Sequence, residues 1–220
     1  MKKVSLSLGV LLMAVLVYGQ SEQYYQKMGE TLQLFASINS VDDYQDLANK
    51  FRVIGNVEKE EWLPLYYEAH CYILMSFMDQ EGAEVRDGYL QSASGIVDKM
   101  TELAPDEAEV AVMTAFYHTG YLVVNPPQRA MSTTPLIHAA IGRALAIEPE
   151  NPRAIFLRIS NEMGTASFFG EDTTPYCEQA NQLLKDWDNY ELRSPIHPNW
   201  GKDDIEGIVR GCKQKSGENL

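Results

Sequence analysis

The chain has 220 residues, 45% hydrophobic and 22% charged, and its 31 acids against 18 lysines and arginines give a formal net charge of −13. A chain this acidic repels phosphate backbones and anionic headgroups, and no run of Lys or Arg exceeds two, which excludes nucleic acid as a partner class. The charges are interspersed rather than blocked, as on a solvated folded surface.

In chain order, the first segment is "MKKVSLSLGVLLMAVLVYG". Lys2 and Lys3 form a basic start, and Val4 to Val17 are apolar apart from Ser5, Ser7 and Gly9. Gly19 then offers a small residue before the polar run from Gln20, the pattern of a secretory signal cut between Gly19 and Gln20. The stretch is short for a membrane span of about 20 residues. No cysteine sits at the junction to carry a lipid, and no later segment is apolar for long enough to span. The expected organisation is a signal peptide at 1–19 and one domain at 20–220, exported to the periplasm or secreted. Removing the signal takes away two lysines and no acid, which moves the formal charge from −13 to −15.

The mature part reads as helices throughout. Apolar periodicity and terminal signals predict them over 22–38, 40–54, 60–78, 88–104, 107–124, 135–147, 152–165, 175–188 and 202–213. Ser40 with Asp43 caps the second helix, Gly55 ends it, and Pro64 falls in the first turn of the third. Asp106 with Glu109 caps the fifth, while Thr134-Pro135, Asn151-Pro152 and Thr174-Pro175 each read as a cap followed by proline. That leaves long loops at 125–134, "NPPQRAMSTT", and 166–174, "ASFFGEDTT". In "RALAIEPENPRAIF" the stripe from Ile137 to Leu145 stops at Pro149 and restarts at Pro152, a tight helix–helix turn. Similar punctuation at Pro105, Pro149 and Pro195 is spaced by 44 and 46 residues, which suggests stacked helix pairs. No run alternates over enough residues for a sheet. The expected class is all-α.

Three cysteines, Cys71, Cys177 and Cys212, include no Cys-x-x-Cys pair. Cys177, Ala180, Leu184 and Trp187 share one face of the eighth helix, and Ile205, Ile208, Val209 and Cys212 share one of the ninth. Antiparallel packing would bring Cys177 level with Cys212. Two readings follow: a bridge with Cys71 buried and free, or free thiols packed as small apolar groups.

Catalytic chemistry finds little support. His70, His118, His138 and His197 are scattered without ligand spacing, so no metal is expected. The carboxylates cluster at helix starts, where they complement the helix dipole. Nucleophile motifs and phosphate-cradling glycine loops are absent, and no cofactor is implied. Trp62, Tyr66, Tyr67, Tyr72 and Phe77 crowd the third helix, and Phe116, Tyr117 and Tyr121 the fifth. Most of these belong between layers, with a minority on an inner surface.

"RALAIEPENPRA" resembles the closing helix, proline turn and restart of a tetratricopeptide repeat, although the repeats here run longer than the usual 34 residues. With "EWLPLYYEAHCYILMSF", "NPRAIFLR", "SFFGED" and "HPNWG", the chain resembles a group of small exported tetratricopeptide-like proteins of Gram-negative bacteria. The resemblance implies a right-handed α-α superhelix of about four helix pairs plus a C-terminal helix. It also implies a concave face that binds a peptide or partner protein. Carrying the repeat register over places Glu109, Val112 and Phe116, then Arg153, Phe156 and Ser160, on that face. Trp62 at the repeat's aromatic position adds Leu63, Tyr67 and His70. The expected function is therefore a non-enzymatic protein–protein interaction module outside the cytoplasm, its groove either open or filled by the loop at 166–174. A small metal-dependent or hydrolytic enzyme on the same scaffold, or a structural subunit of an envelope complex, is the alternative.

Overall fold

A computed structural model describes residues 22–78 and 82–216. The expected signal peptide at 1–19 lies outside the described residues. Within them the chain forms nine α-helices and two short 3-10 turns, without a strand. The helices are α1 (22–32), α2 (Val41–Val57), α3 (Leu63–Met78), α4 (Ala83–Leu103) and α5 (Ala108–Val124). They continue as α6 (Pro126–Ile147), α7 (Pro152–Phe169), α8 (Thr174–Asp186) and α9 (Lys202–Ser216). From α2 on, consecutive helices pack on one another, α9 folding back onto α8 after the long connection between them. In addition α3 packs on α5, and α5 on α7. The first helices of successive pairs thus form an inner layer, with α4, α6 and α8 outside it. This is a helical-repeat fold.

Composition explains the layering. In α3 every residue from Leu63 to Ile73 is buried, as is every residue from Ala108 to Met113 in α5. A helix apolar on all sides must lie between others. By contrast α8 and α9 carry one apolar stripe each and stay at the surface. No described helix is long and apolar enough to cross a membrane.

Several boundaries differ from the sequence expectation. The first helix does not run to 38; it tightens into a 3-10 turn over Gln33–Ser37. Gly55 does not end α2, which continues to Val57; a Cβ there would come within 3.3 Å of Pro64 Cβ, so this glycine allows α2 and α3 to approach. Glu109 is no cap for α5, which starts without a side-chain cap at Glu107. Most of 125–134 is helix rather than loop, because α6 begins at Pro126 and includes Pro135 in its interior. Pro135 removes one amide from the helix ladder, but it faces water, and so does Met131, whose carbonyl would have accepted that bond. Arg129 anchors this first half of α6, with bonds of 2.7 and 2.6 Å to Asp87 of α4 and its guanidinium 4.0 Å from the centre of the Tyr121 ring. Helix α7 extends to Phe169, and Gly170 closes it at φ 70° with its amide on Ala166 and Ser167 carbonyls. Asn151 caps α7 by accepting from the amides of Arg153 and Ala154, as its sequence position suggested.

Cys177 in α8 and Cys212 in α9 are joined, with Cα atoms 5.9 Å apart, while Cys71 is buried and free. The bridge closes a loop of 35 residues and stabilises by about 3–4 kcal/mol through denatured-state entropy. Unreduced protein in denaturant should therefore titrate a single thiol per chain. Finding three, with a melting temperature insensitive to reductant, would show both cysteines free.

Candidate functional site

The inner layer is not an open groove along its whole length. After α8 the chain returns as an irregular segment, 190–201, with a turn closed by the His197 amide on the Ser194 carbonyl, that lies across α3, α5 and α7. Beneath it a polar network is built from residues of several helices. Arg153 and Glu109 are each 1% exposed and paired, with Arg153 Nε and Nη2 at 2.8 and 2.6 Å from Glu109 Oε1. Asn151 Nδ2 donates to the same oxygen at 2.6 Å, and the Tyr66 hydroxyl donates to Oε2 at 3.1 Å. The Tyr66 oxygen in turn accepts from Trp200 Nε1 at 2.7 Å. At the other end of the segment Tyr190 donates to Glu148, and Arg193 pairs with Glu107 and Glu148. Tyr67 donates to the Ile196 carbonyl at 3.0 Å. The segment is thus held at both ends and the middle.

Beside it, toward α1 and α2, the inner face opens into a cleft of about 990 Å³, the size of a small-molecule site. Its walls carry Phe35, Tyr67, His70, Phe116, Phe156 and Trp200, with Tyr25, Tyr44 and Phe77 around them. The rings touch: Trp200 lies 5.0 Å from both His70 and Phe116, and Phe35 lies about 6 Å from Tyr67 and His70. Gly201, at φ 103°, lets the chain turn from Trp200 into α9 where a Cβ would press to 3.0 Å from the Trp187 ring. His70 and His197 are 5% and 4% exposed, and His70 Nδ1 and His197 Nε2 have no hydrogen-bond partner. Burial pushes the His70 imidazole down to about 3, and it lowers His197 as well. Both rings are therefore neutral at physiological pH.

Of the residues placed on the concave face from sequence, Tyr67, His70, Phe116 and Phe156 line this cleft. Glu109 and Arg153 sit under the crossing segment, Val112 is fully enclosed, Leu63 is buried at the start of α3, and Ser160 is half-buried on α7; none of these lines the cleft. The 166–174 stretch does not fill the groove. Phe168 and Phe169 are 71% and 70% exposed, and segment 190–201 takes the inner face instead. Sequence reasoning missed Trp200, His197 and Phe35. A tryptophan between Asn199 and Gly201 had no periodic context to give it a face, and only its place in "HPNWG" drew notice.

No protein-family model matches the chain, so none supports the tetratricopeptide assignment, and a search of curated proteins gives no match. Among solved structures the chain is similar to the HusA haemophore from Porphyromonas gingivalis. Sequence identity is 25%, the TM-score is 0.75, and the match covers 90% of this chain and 96% of that one. A haemophore is a binding protein rather than an enzyme.

Two consequences follow from the buried charges and imidazole. Arg153→Ala leaves the Glu109 carboxylate buried without its cation, a loss of about 3–5 kcal/mol. A lowered denaturant midpoint should report it; an unchanged midpoint would place the pair in water. For His70 the folded-state value lies below the ordinary 6.5. Its neutral burial contributes fully above about pH 6.5, and that contribution is lost as pH falls toward 3, because only the unfolded chain takes up the proton. The melting temperature of His70→Phe should fall less between pH 6.5 and 4 than that of the parent; parallel curves would contradict this.

Proposed function

We propose that this chain is a non-enzymatic, exported binding protein whose cleft takes haem. The observation that carries the reading is the cleft itself, walled by aromatic faces from α3, α5, α7 and the 190–201 segment. Stacked or edge-on rings suit a large, flat, apolar ligand, with each well-placed ring contributing about 0.5–1.5 kcal/mol beyond its buried area. The fold-wide likeness to a haemophore supports haem as that ligand. His70 and His197 bring neutral imidazoles to the walls, the protonation state in which histidine ligates iron. Export follows from the N-terminal pattern of Lys2, Lys3 and the apolar run to Val17.

The peptide or partner-protein reading is supported less well. An extended peptide would lie where 190–201 already pairs with Tyr67 and Tyr66. Among the described residues no group of three or more His, Cys, Asp or Glu is arranged to hold a metal ion.

The test is a titration of the chain from Gln20 with haemin, followed by the Soret band and by tryptophan quenching. Saturable binding is expected, weakened at least tenfold in Phe116→Ala and in Trp200→Ala and unchanged in Arg158→Ala, which lies on the opposite side of α7. Absence of saturable binding, or equal loss in all three variants, would overturn the reading.

A further inference from the structure

We infer that Asp203 and Asp204 set the charge selectivity of the cleft, discriminating against tetrapyrroles with many carboxylates and turning the carboxylate edge of a bound one away from the start of α9. The inference rests on the haem reading above and adds to it which tetrapyrroles bind and how they lie.

The wall chemistry points this way. Two features besides the acids mark the cleft as a ligand site: its volume of about 990 Å³ and the unpartnered nitrogens of His70 and His197 in its lining. Along that lining the only ionisable side chains other than tyrosine and histidine are Asp203 and Asp204, and no lysine or arginine is among them. The imidazoles supply no charge, since burial keeps both neutral. The neighbouring Lys202 turns to Asp188, with contacts of 2.6 and 2.7 Å. Asp203 and Asp204 are exposed in the first turn of α9. Across the mouth on α2, burial raises the Tyr44 hydroxyl's pKa, with smaller contributions from Cys71 and then Asp204.

A tetrapyrrole is held here by its apolar plane, and its propionates meet no cation in the cleft. Near α9 they meet two carboxylates, and each such pair at about 8 Å opposes binding by a few tenths of a kcal/mol in water. The apolar edge therefore faces α9 and the propionates face solvent. Each further carboxylate on the ligand that cannot reach solvent adds to the repulsion, and salt relieves it over a Debye length of about 10 Å at 0.1 M. Amide replacements at Asp203 and Asp204 keep the shape of the mouth and remove its charge.

The experiment compares iron protoporphyrin IX, with two carboxylates, and iron coproporphyrin III, with four, on the chain from Gln20 and on Asp203→Asn/Asp204→Asn. In the parent, the two-carboxylate ligand should bind tighter, and affinity for the four-carboxylate ligand should rise more steeply between 50 and 500 mM NaCl. The double variant should bind iron protoporphyrin about three- to tenfold tighter, gain more for the other ligand, and lose most of the salt response. Unchanged or weaker binding in a double variant with the parent's melting temperature would overturn the inference while leaving the haem reading standing. The parent's salt series needs no variant, and a steeper fall for the four-carboxylate ligand would overturn it equally. No Soret change with either ligand in either protein would overturn the haem reading and the selectivity together.

Discussion

The contact on which the inner face depends is the buried pair of Arg153 and Glu109. Each ion is withdrawn from water, which costs several kcal/mol per charge unless every donor and lone pair is met. Here Glu109 receives Arg153 twice, Asn151 once and the Tyr66 hydroxyl once. The pair thereby fixes α5 against α7, the cap of α7 and the ring of Tyr66 on α3. A hydrophobic substitute would hold the helices but would leave the Tyr66 hydroxyl, which accepts from Trp200, without the acceptor that orients it. The pair acts at a distance on the cleft, through Tyr66 to the tryptophan that forms one wall.

That chain of bonds explains why the cleft lies at one side of the inner face. The returning segment is tied down by Arg193 and Tyr190 at one end and Trp200 at the other, so the surface over Glu109 and Arg153 is occupied. What stays open is the region between the segment and α1–α2, where Phe35, Tyr67, His70, Phe116 and Phe156 line a ligand-sized space. The disulfide contributes indirectly. By fastening α9 to α8 it holds the helix whose first turn carries Asp203 and Asp204 at the mouth.

Much of the fold was legible because helix signals are local. Asn151-Pro152 caps and starts α7 whatever packs on it, and the apolar density of α3 and α5 announces burial on all sides. The half of α6 before Pro135 was hidden for the opposite reason. Two prolines, a threonine pair and a further proline argue for a loop, and tertiary contacts favour helix there, the clasp of Arg129 on Asp87 and Tyr121 and the burial of Thr133. The repeat register found the inner helices but could not tell an inward residue that lines the cleft, such as Phe116, from one that lies under the returning segment, such as Arg153.

From residue order alone came the all-α class, the pairing of helices around proline turns, the acidic charge balance, and the aromatic crowding of α3 and α5. These are properties of near neighbours, within a turn or two of helix. The cleft was decided by tertiary structure. Its walls come from residues as far apart as Tyr25 and Trp200, and its extent is set by a segment with no periodicity that returns across the inner layer. Hydrogen bonds between residues 134 positions apart, such as Trp200 to Tyr66, leave no trace in local spacing.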